Sequence, residues 1–176
     1  DGQGLGEGPI ADAITLAGGT QNILLRFSRS GRSYVLRRPP PVLRANSNET
    51  MRREARVLAA LKGSNVPHPE LIAACPEENV IGASFYLMEP IEGFNATQGL
   101  PALHSGDVAI RHRMGLAMVE AIAALSRVDY RAVGLEGFGK LDNWIERQVG
   151  RPAAGGALRS GRKAQRERYL RAHGSG

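Results

Sequence analysis

One cysteine, Cys75, stands among 176 residues, so no internal disulfide can brace the fold, and a reducing cytoplasm is the expected setting. No stretch reaches the roughly 18 apolar residues of a membrane-spanning helix. The opening Asp1-Gly2-Gln3-Gly4-Leu5-Gly6-Glu7-Gly8-Pro9 lacks both the basic start and the apolar centre of a signal peptide. The four histidines, His68, His104, His112 and His173, show no ligand spacing, and no protein-held metal is expected from them. Repeats and coiled-coil heptads are absent as well. What remains is enough apolar content, 42%, for the core of one domain.

The net charge of +6 would suggest a polyanion partner, but it is not spread over the chain. Residues 1–150 carry 16 basic and 16 acidic side chains. Residues 151–176 carry seven cations against Glu167 and so account for the entire excess. This Arg-, Gly-, Ala- and Ser-rich segment has too little apolar surface to offset its ordering entropy and is expected to be a disordered tail. Nucleic acid is therefore not the expected partner, although a tail that contacts polyanions stands as a third, weaker reading.

Periodicity predicts an α+β chain. Residues 10–16 suit a short first strand. Residues 23–27 and 33–37 are strand-like, and the Gly-containing link between them signals a hairpin. Pro39-Pro40-Pro41 stops further pairing. Over residues 47–62, Met51, Ala55, Leu58 and Ala59 form one helical stripe, with Asn46 and Glu49 as a cap pair and Gly63 as the stop. Strands are expected over 71–75 and 80–91, separated by the turn Pro76-Glu77-Glu78-Asn79, with Gly82 at a bulge. Residues 94–105 read as a loop. A helix follows from Ser105 or Asp107 to about Val128, with Met114, Met118, Ile122 and Leu125 on one stripe and Leu116, Val119 and Ala123 on another, a pattern that expects burial on two sides, with the lack of a partner here as the alternative. Leu135 begins a turn that ends at Gly139, and Trp144, Ile145 and Val149 mark the start of another helix. The expected organisation is a flexible N-terminus over 1–9, a nucleotide-binding lobe over 10–93, the start of a helical lobe over 94–150, and the basic tail over 151–176.

Four features in order carry chemistry. Gly18-Gly19-Thr20-Gln21-Asn22 precedes a strand, where glycines allow backbone amides to approach phosphate oxygens. Val35 and Arg37 share a strand face, which makes Arg37 the candidate phosphate-contacting cation and places Val35 beside a base. Glu54, one turn into the helix, is placed to orient Arg37, and the two are expected to face each other. Met88, Glu89, Pro90 and Ile91 form a linker in which Met88 gates the pocket, the Glu89 carbonyl accepts from the base and the Ile91 amide donates to it; Pro90 has no N–H to place. Each feature has a plainer explanation: an ordinary turn, solvated edge-strand arginines, an exposed helix glutamate. Their joint order is that of the nucleotide lobe of a kinase. No His-Gly-Asp or His-Arg-Asp segment with a downstream Asn accompanies them.

Residues 16–150 resemble the aminoglycoside phosphotransferase superfamily, in the branch akin to the kinase-like domain of some acyl-CoA dehydrogenases. The matching blocks are Gly18-Gly19 with Asn22, Tyr34-Val35-Leu36-Arg37-Arg38-Pro39-Pro40, Arg53-Glu54-Ala55-Arg56-Val57-Leu58 and Val66-Pro67-His68-Pro69. They continue through Ile81-Gly82-Ala83-Ser84-Phe85-Tyr86-Leu87-Met88-Glu89, Gly134-Leu135-Glu136-Gly137-Phe138-Gly139 and Glu146-Arg147-Gln148. The resemblance implies a kinase-like N-terminal lobe, an antiparallel sheet plus one helix, followed by the first helices of an incomplete helical C-terminal lobe. It implies ATP- or GTP-dependent transfer of a γ-phosphoryl group to a hydroxyl-bearing small molecule, with Mg²⁺. Gln21 departs from the family's Ser at that position. The family's catalytic Asp, its Asn and its metal-binding Asp match nothing in this chain. The likeness is expected to fade near Gly150, where the charge rises, as a truncation or frame change would produce. On that reading the chain alone is an inactive fragment. A non-catalytic nucleotide-binding or protein-interaction module is the alternative.

Overall fold

The computed structural model of the protein describes residues 5–16 and 22–139. The chain divides into two compact units, one ending at Glu136 and one beginning at Gly137, and every element below belongs to the first. Five strands, β1 (Ala11–Thr15), β2 (Ile23–Arg29), β3 (Arg32–Arg38), β4 (Leu71–Cys75) and β5 (Phe85–Met88), make one antiparallel sheet in the order β1-β2-β3-β5-β4. The helices are α1 (Ser47–Leu61), α2 (Ala102–Gly106) and α3 (Val108–Ser126).

The β2–β3 hairpin is longer than the predicted strands because Ser30 and Gly31 close it with only two residues. Both have positive φ, 50° and 74°, the turn whose twist matches that of the flanking strands. The pleat then sorts the side chains. Phe27, Tyr34 and Leu87 form a core on one sheet face, with Phe27 stacked on Tyr34 at 5.5 Å between ring centroids. Tyr86 packs with Met51 and Ala55 of α1 on the other, and Leu58, Leu71 and Met88 close around them.

Several local expectations are corrected. Asn46 does not cap α1 with its side chain; it takes a left-handed conformation at φ 71°, and Ser47 Oγ instead accepts from the Arg44 amide. Strand β5 is confined to four residues. Ser84, buried, donates through its hydroxyl to the Pro76 carbonyl and through its amide to Asn48 Oδ1, so residues before it serve turns and Val80 is exposed. Gly82, at φ 76°, belongs to that turn and not to a strand bulge. The loop expected over 94–105 contains α2. Asp107 then separates α2 from α3 and caps α3, accepting from the Ala109 and Ile110 amides. From Leu5 onward the described chain meets the sheet: the Gly8 carbonyl accepts from Arg29 Nε at 3.0 Å, and Leu5 packs against the Phe27–Tyr34 core. The helix expected after Leu141 and the basic tail lie outside the described residues.

Helix α3 keeps its two apolar stripes, yet none of its residues is buried, and Met118 and Ile122 are each 66% exposed. Its burial thus differs sharply from that of α1, and so should its response to truncation. Met51→Ala is expected to lower stability by about 2–5 kcal/mol, and Ile122→Ala by less than about 0.5 kcal/mol. Urea unfolding of the two variants beside the parent chain measures both.

Candidate nucleotide site

The antiparallel register sets functional side chains in two rows across the sheet. Leu24 lies opposite Arg37, Arg37 opposite Tyr86, and Tyr86 opposite Ala74. One step along, Arg26 lies opposite Val35, Val35 opposite Met88, and Met88 opposite Leu71. Residues directly opposite share a face, so Arg26, Val35, Arg37, Tyr86 and Met88 all stand on the side that α1 covers. At the end of the first row the Leu16 amide donates to the Leu24 carbonyl at 2.9 Å, and Asn22 leads into β2. Gly18, Gly19, Thr20 and Gln21 lie outside the described residues.

Arg37 and Glu54 meet as the pleat and the helix stripe require. Arg37 Nε donates to Glu54 Oε2 at 2.8 Å, and Nη2 donates to Oε1 at 3.2 Å. Two parallel bonds fix the guanidinium plane as a single contact would not. The side chains are 27% and 30% exposed, so this is a half-buried pair. A third donor was not foreseen from sequence. The Tyr86 hydroxyl donates to Glu54 Oε2 at 3.0 Å, and Tyr86 is only 4% exposed. Burial above all, then the Glu54 charge, raises the Tyr86 pKa well above the ordinary tyrosine range, with Arg37 opposing part of the shift. No local signal in the sequence marks this donor, because the β3–β5 register that sets Tyr86 across from Arg37 is a tertiary property.

Helix α1 is anchored at the level of Glu54 by more than its apolar stripe. Arg52 donates through Nε and Nη2 to the Pro76 carbonyl, the same oxygen that receives Ser84 Oγ, and Arg52 Nη2 reaches Glu78 Oε1 at 2.8 Å. Arg56, one turn on, donates to the Gly134 carbonyl.

The linker after β5 has backbone groups to offer. The Glu89 amide is committed to the Glu70 carbonyl at 2.9 Å, but among the described residues neither the Glu89 carbonyl nor the Ile91 amide is in a hydrogen bond. Both residues are exposed. Glu92 then turns back to Arg26 at 3.0 Å, an ion pair between the linker and the sheet face that carries Val35. The described part of the candidate site thus brings together the Arg37 guanidinium held by Glu54 and, at the linker, the exposed Glu89 carbonyl and Ile91 amide. For a divalent cation the set does not fit: among the described residues no three His, Cys, Asp or Glu side chains are grouped to hold a metal ion.

Comparison with known proteins gives the family and the fold. The family model described as the phosphotransferase enzyme family, APH, matches residues 12–174. The chain belongs to that family. The match continues past Gly150, where the block likeness was expected to fade. The chain is similar to "Probable acyl-CoA dehydrogenase IBR3" of Arabidopsis thaliana, 36% identical over 119 residues, covering 67% of this chain and 14% of that protein. It is also similar to "Acyl-CoA dehydrogenase family member 10" of Mus musculus, 31% identical over 131 residues, covering 74% of this chain and 12% of that protein. A crystal structure of a candidate aminoglycoside phosphotransferase from Ralstonia eutropha superposes with a TM-score of 0.64 at 33% identity, over 81% of this chain and 40% of that one. The chain thus spans a small part of the curated relatives it matches. Its five-stranded antiparallel sheet with α1 is the N-terminal lobe of this kinase-like fold, and α2 and α3 follow it as partial C-terminal helices.

The raised Tyr86 pKa has a signed consequence. An unfolded chain releases its tyrosine protons near pH 10, while folded Tyr86 holds its proton to higher pH. Stability from this group is therefore full below about pH 10 and is lost as pH rises above it. Urea midpoints measured between pH 8 and pH 11 should fall less steeply for Tyr86→Phe than for the parent chain.

Proposed function

We propose that this chain is the nucleotide-gripping part of a small-molecule phosphotransferase that uses ATP or GTP and a hydroxyl-bearing acceptor. The observation that carries this reading is the two-bond Arg37–Glu54 pair, with Arg37 paired across the sheet from Leu24 on one side and Tyr86 on the other. Arg37 contacts the phosphates and Glu54 holds Arg37 toward them. Gly18, Gly19, Thr20, Gln21 and Asn22 cover the phosphates with backbone amides. Val35 lies beside the base, with Met88 behind it, and the Glu89 carbonyl and Ile91 amide meet its edge. The nucleotide, when bound, supplies the γ-phosphoryl group. Positioning and charge stabilisation are what the chain's own residues contribute to such a transfer.

The 176 residues contain no His-Gly-Asp or His-Arg-Asp segment to supply a base for the acceptor hydroxyl. On this reading the chain binds nucleotide without turning it over, and both Mg²⁺ ligands and acceptor contacts come from residues other than the described ones. Family membership does not itself assign an aminoglycoside acceptor. No helix among the described residues is long and apolar enough to cross a membrane, and the lone Cys75 fits the reducing cytoplasm as the working compartment.

Calorimetric titration of the full chain with ATP and with GTP tests the reading. Saturable binding of at least one is expected, weakened more than about tenfold by Arg37→Ala, as loss of a charge-assisted phosphate contact requires. Absence of binding by the folded parent chain, or equal affinity in Arg37→Ala, overturns it. Phosphoryl transfer to hydroxyl acceptors that survives purification and depends on Arg37 would refute the non-catalytic assignment of this chain.

A further inference from the structure

Glu54 is held by three donors, one more than a cation-orienting glutamate needs. Oε2 accepts from both Arg37 Nε and the Tyr86 hydroxyl, and Oε1 accepts from Arg37 Nη2. The Arg–carboxylate pair by itself is planar and rigid, but it hangs on long side chains whose torsions let it pivot as one body, and the terminal torsion of Glu is soft. A donor from a different strand removes that freedom. Tyr86 is suited to be that donor. Its ring is buried against Met51 and Ala55 of α1, and its backbone is paired directly opposite Arg37 in the β3–β5 ladder. The hydroxyl is not required for packing, since a phenylalanine ring would fill the same space.

We propose that Tyr86 is a positioning residue of the nucleotide site, its hydroxyl locking the Glu54 carboxylate so that Arg37 is aimed at the phosphates before nucleotide arrives, a role that rests on the nucleotide reading above. The geometry accounts for the direction of the effect. Arg37 and Tyr86 leave adjacent strands on the same face and converge on one carboxylate from α1, so helix and sheet are tied at a single point by both strands. Because its proton is retained to high pH, the hydroxyl remains a donor throughout the neutral range. Losing it frees the ion pair to pivot without removing either charge, so the loss should fall on the phosphates and spare the base.

Tyr86→Phe in the full chain separates these effects. Affinities for ATP and for adenosine are measured by calorimetry, and exchange of the Arg37 Nε–H proton with water by nitrogen-15 NMR without ligand. Tyr34→Phe, which removes a hydroxyl on the opposite sheet face, is the control. Tyr86→Phe is expected to weaken ATP binding roughly tenfold, leave adenosine binding unchanged and speed Arg37 Nε–H exchange several-fold, while Tyr34→Phe changes none of these. Unchanged ATP affinity overturns the proposal, as does an equal loss for ATP and adenosine, which would mark general damage to the pocket. Should the parent chain bind neither ligand, the nucleotide reading fails and the exchange rate alone decides the positioning role: faster exchange in Tyr86→Phe supports it, and an unchanged rate refutes it.

Discussion

A carboxylate set between a helix and a sheet must be compensated or it destabilises both, and Glu54 meets this demand with three donors from two strands. Much of the described small lobe is arranged around it. Helix α1 has to sit close enough for Glu54 to reach β3, which Met51 and Ala55 secure by packing on Tyr86. It also has to keep its rotation about its own axis, since a few degrees would carry the carboxylate past Arg37. The Arg52 and Ser84 bonds to the Pro76 carbonyl, together with the Asn48 bond to Ser84, hold the first turns of the helix to the β4–β5 connection. Apolar contact supplies attraction without direction. These polar contacts supply the direction.

The sheet turns linear spacing into a site through its register. In an antiparallel ladder, directly paired residues point the same way, so one cross-strand row carries Leu24, Arg37 and Tyr86, and the next carries Arg26, Val35 and Met88. The first row holds the polar groups of Arg37 and Tyr86 between Leu24 and Ala74, and the second is largely apolar. Arg26 interrupts that apolar row, and its pairing with Glu92 directs its charge to the linker, at the rim. In this arrangement a one-residue slip of β3 against β5 would separate Arg37 from Tyr86 and remove the third donor from Glu54.

Much of this organisation was legible beforehand because it rests on local periodicity. Alternation in β2 and β3, the stripe of α1 and the spacing from Arg37 to Glu54 need only the periods of strand and helix, and the ion pair is found where they put it. Local signals mislead where a tertiary contact outweighs them. Asn46 is a good cap residue, yet its backbone is left-handed and Ser47 makes the side-chain bond nearby. Residues 80–83 look strand-like, but the burial of Ser84 against Asn48 and Pro76 shortens β5. Helix α2 has only five residues, too few for periodicity to register. Tyr86 looked like one more apolar strand residue, because nothing local distinguishes a core tyrosine from one whose hydroxyl holds a carboxylate.

By itself the sequence determined the class of fold, the order of its elements, the family and the pairing of a strand cation with a helix acid, since all of these follow from residue type and spacing. It also located the charge excess in residues 151–176, a matter of counting. Only the tertiary structure decided the strand order β1-β2-β3-β5-β4, the row in which Leu24, Arg37 and Tyr86 align, the return of Glu92 to Arg26, and the exposure of both stripes of α3. Each of these depends on which segments, distant in the chain, lie side by side. Local propensity carries no information about that choice, which is made by how well whole faces pack and how completely their polar groups are satisfied.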